Sequence, residues 1–189
     1  SFLVDLFGRD DWVANLAAGH EIIVGRDSIK KQIGHPILFF DYIDCGYAWI
    51  FPNRERLKIG MCALNRNNRK DILAAFQNFL SEIDLQDTQD EKISSYVLPY
   101  GNFLPEPVFR NIMLVGDAAG FADPLLGEGI FYAQRSAELV SQAILEVIKG
   151  NSAIEKSHDA LARAYIKLLR KYIFTELEYA GKIRDAMFT

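Results

Sequence analysis

The sequence predicts an α+β fold: an antiparallel sheet carrying one helix, then one buried strand, a long helix and further C-terminal helices. Three observations predict it. Short runs rich in aromatic and β-branched residues follow one another between Leu16 and Leu64, separated by turn residues. The tetrad Ile112-Met113-Leu114-Val115 is continuously apolar and does not alternate, as a strand buried on both faces of a parallel sheet would read. From Glu128 onward the spacing of apolar residues is helical.

Ser1–Phe7 reads as a helix end or linker and Gly8–Asp11 as a turn. Leu16–Val24 is an apolar strand ended by Gly25-Arg26-Asp27. Ile37–Ile43, Tyr47–Phe51 and Leu57–Leu64 read as three more strands, with Gly46 at the first junction and the hairpin turn Pro52-Asn53-Arg54-Glu55 at the second. Asn67-Asn68 offers a helix cap, and Ile72, Leu73, Phe76, Phe79, Leu80 and Ile83 give an amphipathic helix over 69–83. Residues 84–92 are a polar loop, Ile93–Tyr100 is a strand, and Pro99, Pro105 and Pro107 interrupt regular structure. The tetrad 112–115 ends in Gly116-Asp117. A helix then runs from about Glu128 to a stop at Gly150. Residues 153–187 are helical, with a break expected near Phe174 or Gly181.

Composition bounds the function. The chain has 189 residues, half of them hydrophobic, enough for a real core. With 21 Lys and Arg against 25 Asp and Glu the net charge is −4, which argues against a phosphate-driven nucleic-acid binder. Two cysteines, Cys45 and Cys62, are too few for a disulfide scaffold or a four-cysteine zinc site, and fit a reducing, cytoplasmic setting. His20, His35 and His158 are scattered, so no metal site is expected. No apolar run reaches the roughly 20 residues of a membrane span. No Gly-x-Ser-x-Gly elbow is present. Arg163, Lys167, Arg170 and Lys171 form a basic stripe that reads as a solvated face, with peripheral membrane contact as the sharper alternative. The chain begins at Ser1 rather than Met, and a processed, trimmed or partial chain is expected.

The chemistry concentrates in residues 114–130, Leu-Val-Gly-Asp-Ala-Ala-Gly-Phe-Ala-Asp-Pro-Leu-Leu-Gly-Glu-Gly-Ile. A strand delivers the Asp117 carboxylate at its end, where it can accept hydrogen bonds from hydroxyls. Gly116, Ala118 and their small neighbours let backbone approach a ligand closely. Pro124 fixes a bend, and Gly127 and Gly129 expose amides at a helix start, where anions are favoured. Together these suit a ligand with a polyol and an electron-accepting ring. Glu128 reads as compensation of the helix dipole.

The run from Gly116 to Ile144 resembles the second FAD-binding motif of the geranylgeranyl reductase family, within the flavoproteins that share the p-hydroxybenzoate hydroxylase fold. That resemblance implies that Asp117 binds the ribityl or pyrophosphate part of FAD, and that Pro124 through Ile130, with Gly127 and Gly129, flank the isoalloxazine. Gly46–Pro52 resembles the family's Tyr-x-Trp-x-Phe-Pro stretch, departing from it at Asp44, where a proline is common. Alternation places Tyr47, Trp49 and Phe51 on one strand face. The resemblance implies that these three and Pro52 line the cavity for an apolar prenyl substrate.

The resemblance therefore divides the chain into a substrate domain at 1–110, the last strand and helix of an FAD-binding domain at 111–150, and C-terminal helices at 151–189. It implies reduction of isoprenoid C=C bonds by hydride from reduced flavin, with NAD(P)H or a ferredoxin-like protein as electron donor. No Gly-x-Gly-x-x-Gly occurs in the chain, so it resembles the C-terminal portion only, and alone it is expected to be inactive and to hold FAD poorly. Residues 112–115 would then form an exposed sheet edge that invites association. The alternatives are a flavin monooxygenase or halogenase of the same fold, or a non-catalytic binding module.

Overall fold

The computed structural model describes residues 16–30, 32–64, 71–83, 85, 92–99, 103–110, 112–149 and 158–187. The expectations for residues 1–15, the Asn67-Asn68 cap, most of the 84–92 loop and the Gly150 stop lie outside them. The fold is α+β, and the chain divides into two compact units, one at Leu16–Leu98 and one taking in Pro99–Thr189.

The first unit is a five-stranded sheet. Its strands are β1 (Ala17–Gly25), β2 (Ile37–Phe39), β3 (Gly46–Pro52), β4 (Arg56–Leu64) and β5 (Ser94–Leu98). They lie in the order β2-β3-β4-β1-β5, every neighbouring pair antiparallel. The β3–β4 hairpin closes on Asn53, whose side-chain oxygen accepts from the amides of Glu55 (3.1 Å) and Arg56 (2.7 Å). The register sets Ile22 and Val24 of β1 opposite Ile59 and Leu57 of β4, and Ala48 and Ile50 of β3 opposite Met61 and Ile59. Helix α1 (Ile72–Glu82) lays Ile72, Phe76 and Phe79 across that face and closes the core. Burying side chains of this size contributes about 1.5–3 kcal/mol each.

Two expectations shift here. The helix is capped by Asp71, whose carboxylate accepts from the Leu73 amide at 2.9 Å, and it begins three residues later than periodicity suggested. The strand expected over Ile37–Ile43 stops at Phe39. Phe39 and Tyr42 meet Phe79 edge-on at 5.1 and 4.9 Å, and Ile43 is buried. These residues are apolar because they cover α1, a role that composition cannot tell apart from strand pairing.

In the second unit a short hairpin joins β6 (Val108–Phe109) to β7 (Ile112–Met113), and the Leu114 amide extends it to the Pro107 carbonyl at 2.9 Å. The apolar tetrad is thus a two-residue antiparallel strand. Among the described residues it has no parallel neighbour, and Ile112 is 39% exposed. An apolar run measures affinity for burial; it does not say which strand pairs with it. A 3₁₀ turn (Gly116–Ala119) and a loop lead to helix α2 (Ile130–Lys149). Helix α3 (His158–Leu169) passes through a wide π-turn (Arg170–Phe174) into α4 (Thr175–Met187). The expected break is therefore a π-turn ending at Phe174, and the helix continues through Gly181. Leu139, Ala143, Tyr165, Leu169, Ile173 and Leu177 form this unit's core. Phe103, Phe121 and Phe174 add a ring cluster with centroids 4.8–6.4 Å apart.

Candidate functional site

Two constellations are present, one in each unit. In the second unit the Gly116–Ile130 loop is built around three tethers. Gly116 takes φ +53°, its amide donates to the buried Ser136 hydroxyl at 2.9 Å, and a Cβ there would stand 2.9 Å from the Ala133 Cβ. Glycine is thus required both by backbone angle and by the close passage of α2. Gly120, at φ +75°, ends the 3₁₀ turn by donating to the Asp117 carbonyl, while the Phe121 amide donates to the Gly116 carbonyl. Asp123 organises the rest. Its carboxylate accepts from the amides of Leu125 (2.9 Å) and Leu126 (2.7 Å), and its carbonyl accepts from the Gly127 amide. Its own amide donates to the Glu128 carbonyl. The Glu128 carboxylate then accepts from the Phe131 amide at 3.0 Å and caps the helix, which starts at Ile130.

This scaffold brings Asp117 and Gly129 together. The Asp117 side chain is exposed and turns toward the helix start: a Cβ on Gly129 would lie 2.9 Å from Asp117 Oδ1. Ala118 and Gly127 are exposed, Gly127 at φ +71°, and Pro124 is buried. Leu126, Ile130 and Phe131 are at least half exposed. A carboxylate, a glycine cradle and the first amides of a 20-residue helix, which have no intrahelical acceptors, fit a ligand with hydroxyls and a polarisable apolar ring. FAD is of that kind. Ser136 and Asp123 were not singled out in the sequence. The spacing Asp-Pro-x-x-Gly was the available signal for Asp123, since Asp side chains close turns on amides two and three residues ahead.

In the first unit, the sheet face opposite α1 carries Tyr47, Trp49 and Phe51. Their rings follow one another at 5.8 and 5.9 Å, and Phe40 lies 6.0 Å from Tyr47. Pro52 pairs with Leu57 and alternates onto the core side of the sheet, out of the stripe. Two strand glycines make room for flat-lying rings. A Cβ on Gly60 would meet Trp49 Cζ2 at 2.2 Å, and one on Gly19 would meet Tyr96 Cε2 at 2.7 Å. Both glycines were missed in the sequence, although glycine inside a strand is a signal of close approach.

Gly60 pairs with both Trp49 and Glu21, so the indole lies over the strand next to Glu21. Glu21 faces Lys58 at 3.9 Å. Trp49 is 93% buried, and among the described residues its indole N–H has no acceptor. An unmade buried hydrogen bond costs about 1–3 kcal/mol. Burial pushes the Cys62 thiol up to about 12 against the opposing effect of its hydrogen bond with Tyr47, so it carries no thiolate at neutral pH. Burial, with Glu21 and Cys62 adding to it, raises the Tyr96 phenol to about 12. Among the described residues no group of three or more His, Cys, Asp or Glu could hold a metal ion, and no helix is long and apolar enough to cross a membrane.

No protein-family model matches the chain. It is 35% identical over 127 residues to an uncharacterized protein of Methanosarcina barkeri, covering 67% of this chain and 32% of that protein. It is 28% identical over 143 residues to a digeranylgeranylglycerophospholipid reductase of Methanococcus aeolicus, covering 75% of this chain and 37% of the reductase. The chain therefore spans about a third of the length of these relatives. Among solved structures, a geranylgeranyl bacteriochlorophyll reductase-like protein from Thermoplasma acidophilum superposes with a TM-score of 0.74 at 17% identity, over 91% of this chain and 43% of that one. A flavin-dependent halogenase from Brevundimonas superposes at 0.53 and 12% identity, over 93% of this chain and 31% of that one. The resemblance to geranylgeranyl reductases seen in the motifs holds in sequence over this part of their length, and the fold is that of their structural relative.

Proposed function

We propose that the chain forms part of an oxidoreductase that binds FAD and reduces isoprenoid C=C bonds. The observation that carries this reading is the Asp117 carboxylate set against Gly129 at the start of α2, in a chain whose relatives include a prenyl-lipid reductase. Asp117 would hold ribityl or pyrophosphate oxygens, Gly116 and Ala118 would let backbone close on them, and Pro124 and Gly127 through Ile130 would flank the ring. When bound, FAD supplies the hydride. The α2 N-terminus favours negative charge placed before it, and Leu126, Ile130 and Phe131 offer an apolar surround that excludes water. Tyr47, Trp49 and Phe51 provide an aromatic surface for an isoprenoid. NAD(P)H or a ferredoxin-like donor completes the proposal, with the protein cytoplasmic and peripheral to the membrane that holds its lipid.

Asp117→Ala in the intact protein tests the cofactor half. It is expected to weaken flavin retention by about tenfold or more, the worth of hydrogen bonds to a charged group. Unchanged flavin content refutes the role of Asp117. The visible spectrum of the purified intact protein tests the whole reading, because a colourless protein that fails to take up added FAD removes it. The likeness to the halogenase keeps oxygen chemistry as the second reading. Peroxide or an oxygenated product formed under air with a reduced nicotinamide selects it over prenyl reduction.

A further inference from the structure

We infer that Ser136 and Tyr165 are positioning residues for the cofactor: their hydroxyls fix the two peptide groups that lead into Asp117 and so set its carboxylate at the start of α2. This rests on the FAD reading of Asp117 and adds to it the residues that aim that side chain. The β6–β7 pairing ends at the Leu114 amide, which donates to the Pro107 carbonyl. Beyond it, side chains take over from strand pairing. The Leu114 carbonyl accepts from the Tyr165 hydroxyl at 2.9 Å, and the Gly116 amide donates to the Ser136 hydroxyl at 2.9 Å. These groups belong to the two successive peptides on either side of Val115, so both planes are held where the chain turns at Gly116 into Asp117. Ser136 and Tyr165 are fully buried. The Ser136 hydroxyl donates to the Ala133 carbonyl at 3.2 Å, which leaves a lone pair for the Gly116 amide. Burial raises the Tyr165 phenol, so it remains a donor. The same side of α2 also meets Asp117. Gly129, Ala133 and Ser136 recur at i, i+4 and i+7, which is one side of a helix. A Cβ on Gly129 would stand 2.9 Å from Asp117 Oδ1, a Cβ on Gly116 would meet Ala133, and Ser136 holds the Gly116 amide. Packing alone needs neither hydroxyl. Alanine and phenylalanine would fill the same places, but each would remove the partner of a backbone group in a buried residue.

The test is a double-mutant cycle on the intact protein, stripped of flavin and titrated with FAD, with binding read from flavin fluorescence. Ser136→Ala and Tyr165→Phe each remove one hydroxyl and keep the body of the side chain. Each is expected to weaken FAD binding about fivefold or more, the size of coupling within one hydrogen-bonded network. In an Asp117→Ala background the same substitutions are expected to weaken it about twofold or less, because the carboxylate they aim is gone. Amide exchange in the flavin-free protein checks the tether itself: the Gly116 amide is expected to exchange faster in Ser136→Ala, and an unchanged rate overturns the role of Ser136. Equal losses in both backgrounds overturn the inference and mark a packing role. Full FAD affinity in either single variant overturns the role of that residue and leaves the reading of Asp117 standing. If Asp117→Ala binds FAD as tightly as the unsubstituted protein, or the unsubstituted protein binds none, that reading falls and the inference falls with it.

Discussion

At the scale of single residues, the two sites depend on what glycines leave out. Gly60→Ala places a methyl 2.2 Å from the Trp49 ring and must displace it. The expected cost is about 1–3 kcal/mol, as for overpacking, with a change in tryptophan emission. Unaltered stability and emission would show that the ring does not lie on Gly60. Cys62 and Tyr96 make a pH prediction. Both keep their protons to about 12 in the fold, against ordinary values of 9.0 and 10.0. The folded state therefore binds more protons in that window, so their contribution is fully present below pH 9 and is lost as pH rises toward 12. Denaturant midpoints at rising pH check it, with Cys62→Ser expected to flatten the decline. Much of this scale was legible in advance. The order Asp117, Pro124, Gly127, Gly129 was read from the sequence, and the structure sets Asp117 against Gly129 just before α2 while Pro124 lies against Gly181. The roles of Gly60, Gly19 and Asp123 were not, because each depends on a partner chosen by strand register or loop closure rather than by spacing along the chain.

At the scale of elements, α1 is the clearest case of periodicity turning into packing. Phe76 is fully buried against the sheet, and Phe76→Ala is expected to cost about 3–5 kcal/mol by chemical denaturation. Asp71→Ala, which removes only the cap, should cost about 1 kcal/mol. His20 lies on the same face, 2.8 Å from the Ser95 hydroxyl and stacked on Phe76. Burial lowers its pKa below 6.5, with Asp71 opposing. Its contribution is fully present above pH 6.5 and is lost as pH falls, since the unfolded chain takes up the proton first. A His20→Gln variant should lose that acid-side slope. Strands β1, β3 and β4 were legible because alternation and turn residues agreed. Strand β2 and the 112–115 tetrad were misjudged in extent or pairing, because an apolar run looks the same whether it joins a ladder or lids a helix.

At the scale of the whole molecule, the α+β class followed from the change of period along the chain, and the contacts divide it between Leu98 and Pro99 into two units with separate cores. One feature of the second unit reaches further than its size. The rod from α3 through the π-turn to α4 makes two contacts near the Gly116–Ile130 loop: the Tyr165 hydroxyl donates to the Leu114 carbonyl at 2.9 Å, and Gly181 lies against Pro124, where a Cβ would be 3.9 Å from the proline ring. In an unbroken α-helix, positions 16 residues apart point about 160° away from each other. One wide turn absorbs an extra residue and takes back about 100° of that, leaving roughly 60°. The π-turn is thus a phase correction, and it lets one rod meet Leu114, just before the loop that carries Asp117, and Pro124, within it. Removing Lys171 would take out that extra residue and leave Tyr165 and Gly181 15 α-helical positions apart, again roughly 60°, so the deletion is expected to keep both contacts, whereas a residue lost from the regular turns of α4 before Gly181 would swing Gly181 by about 100°.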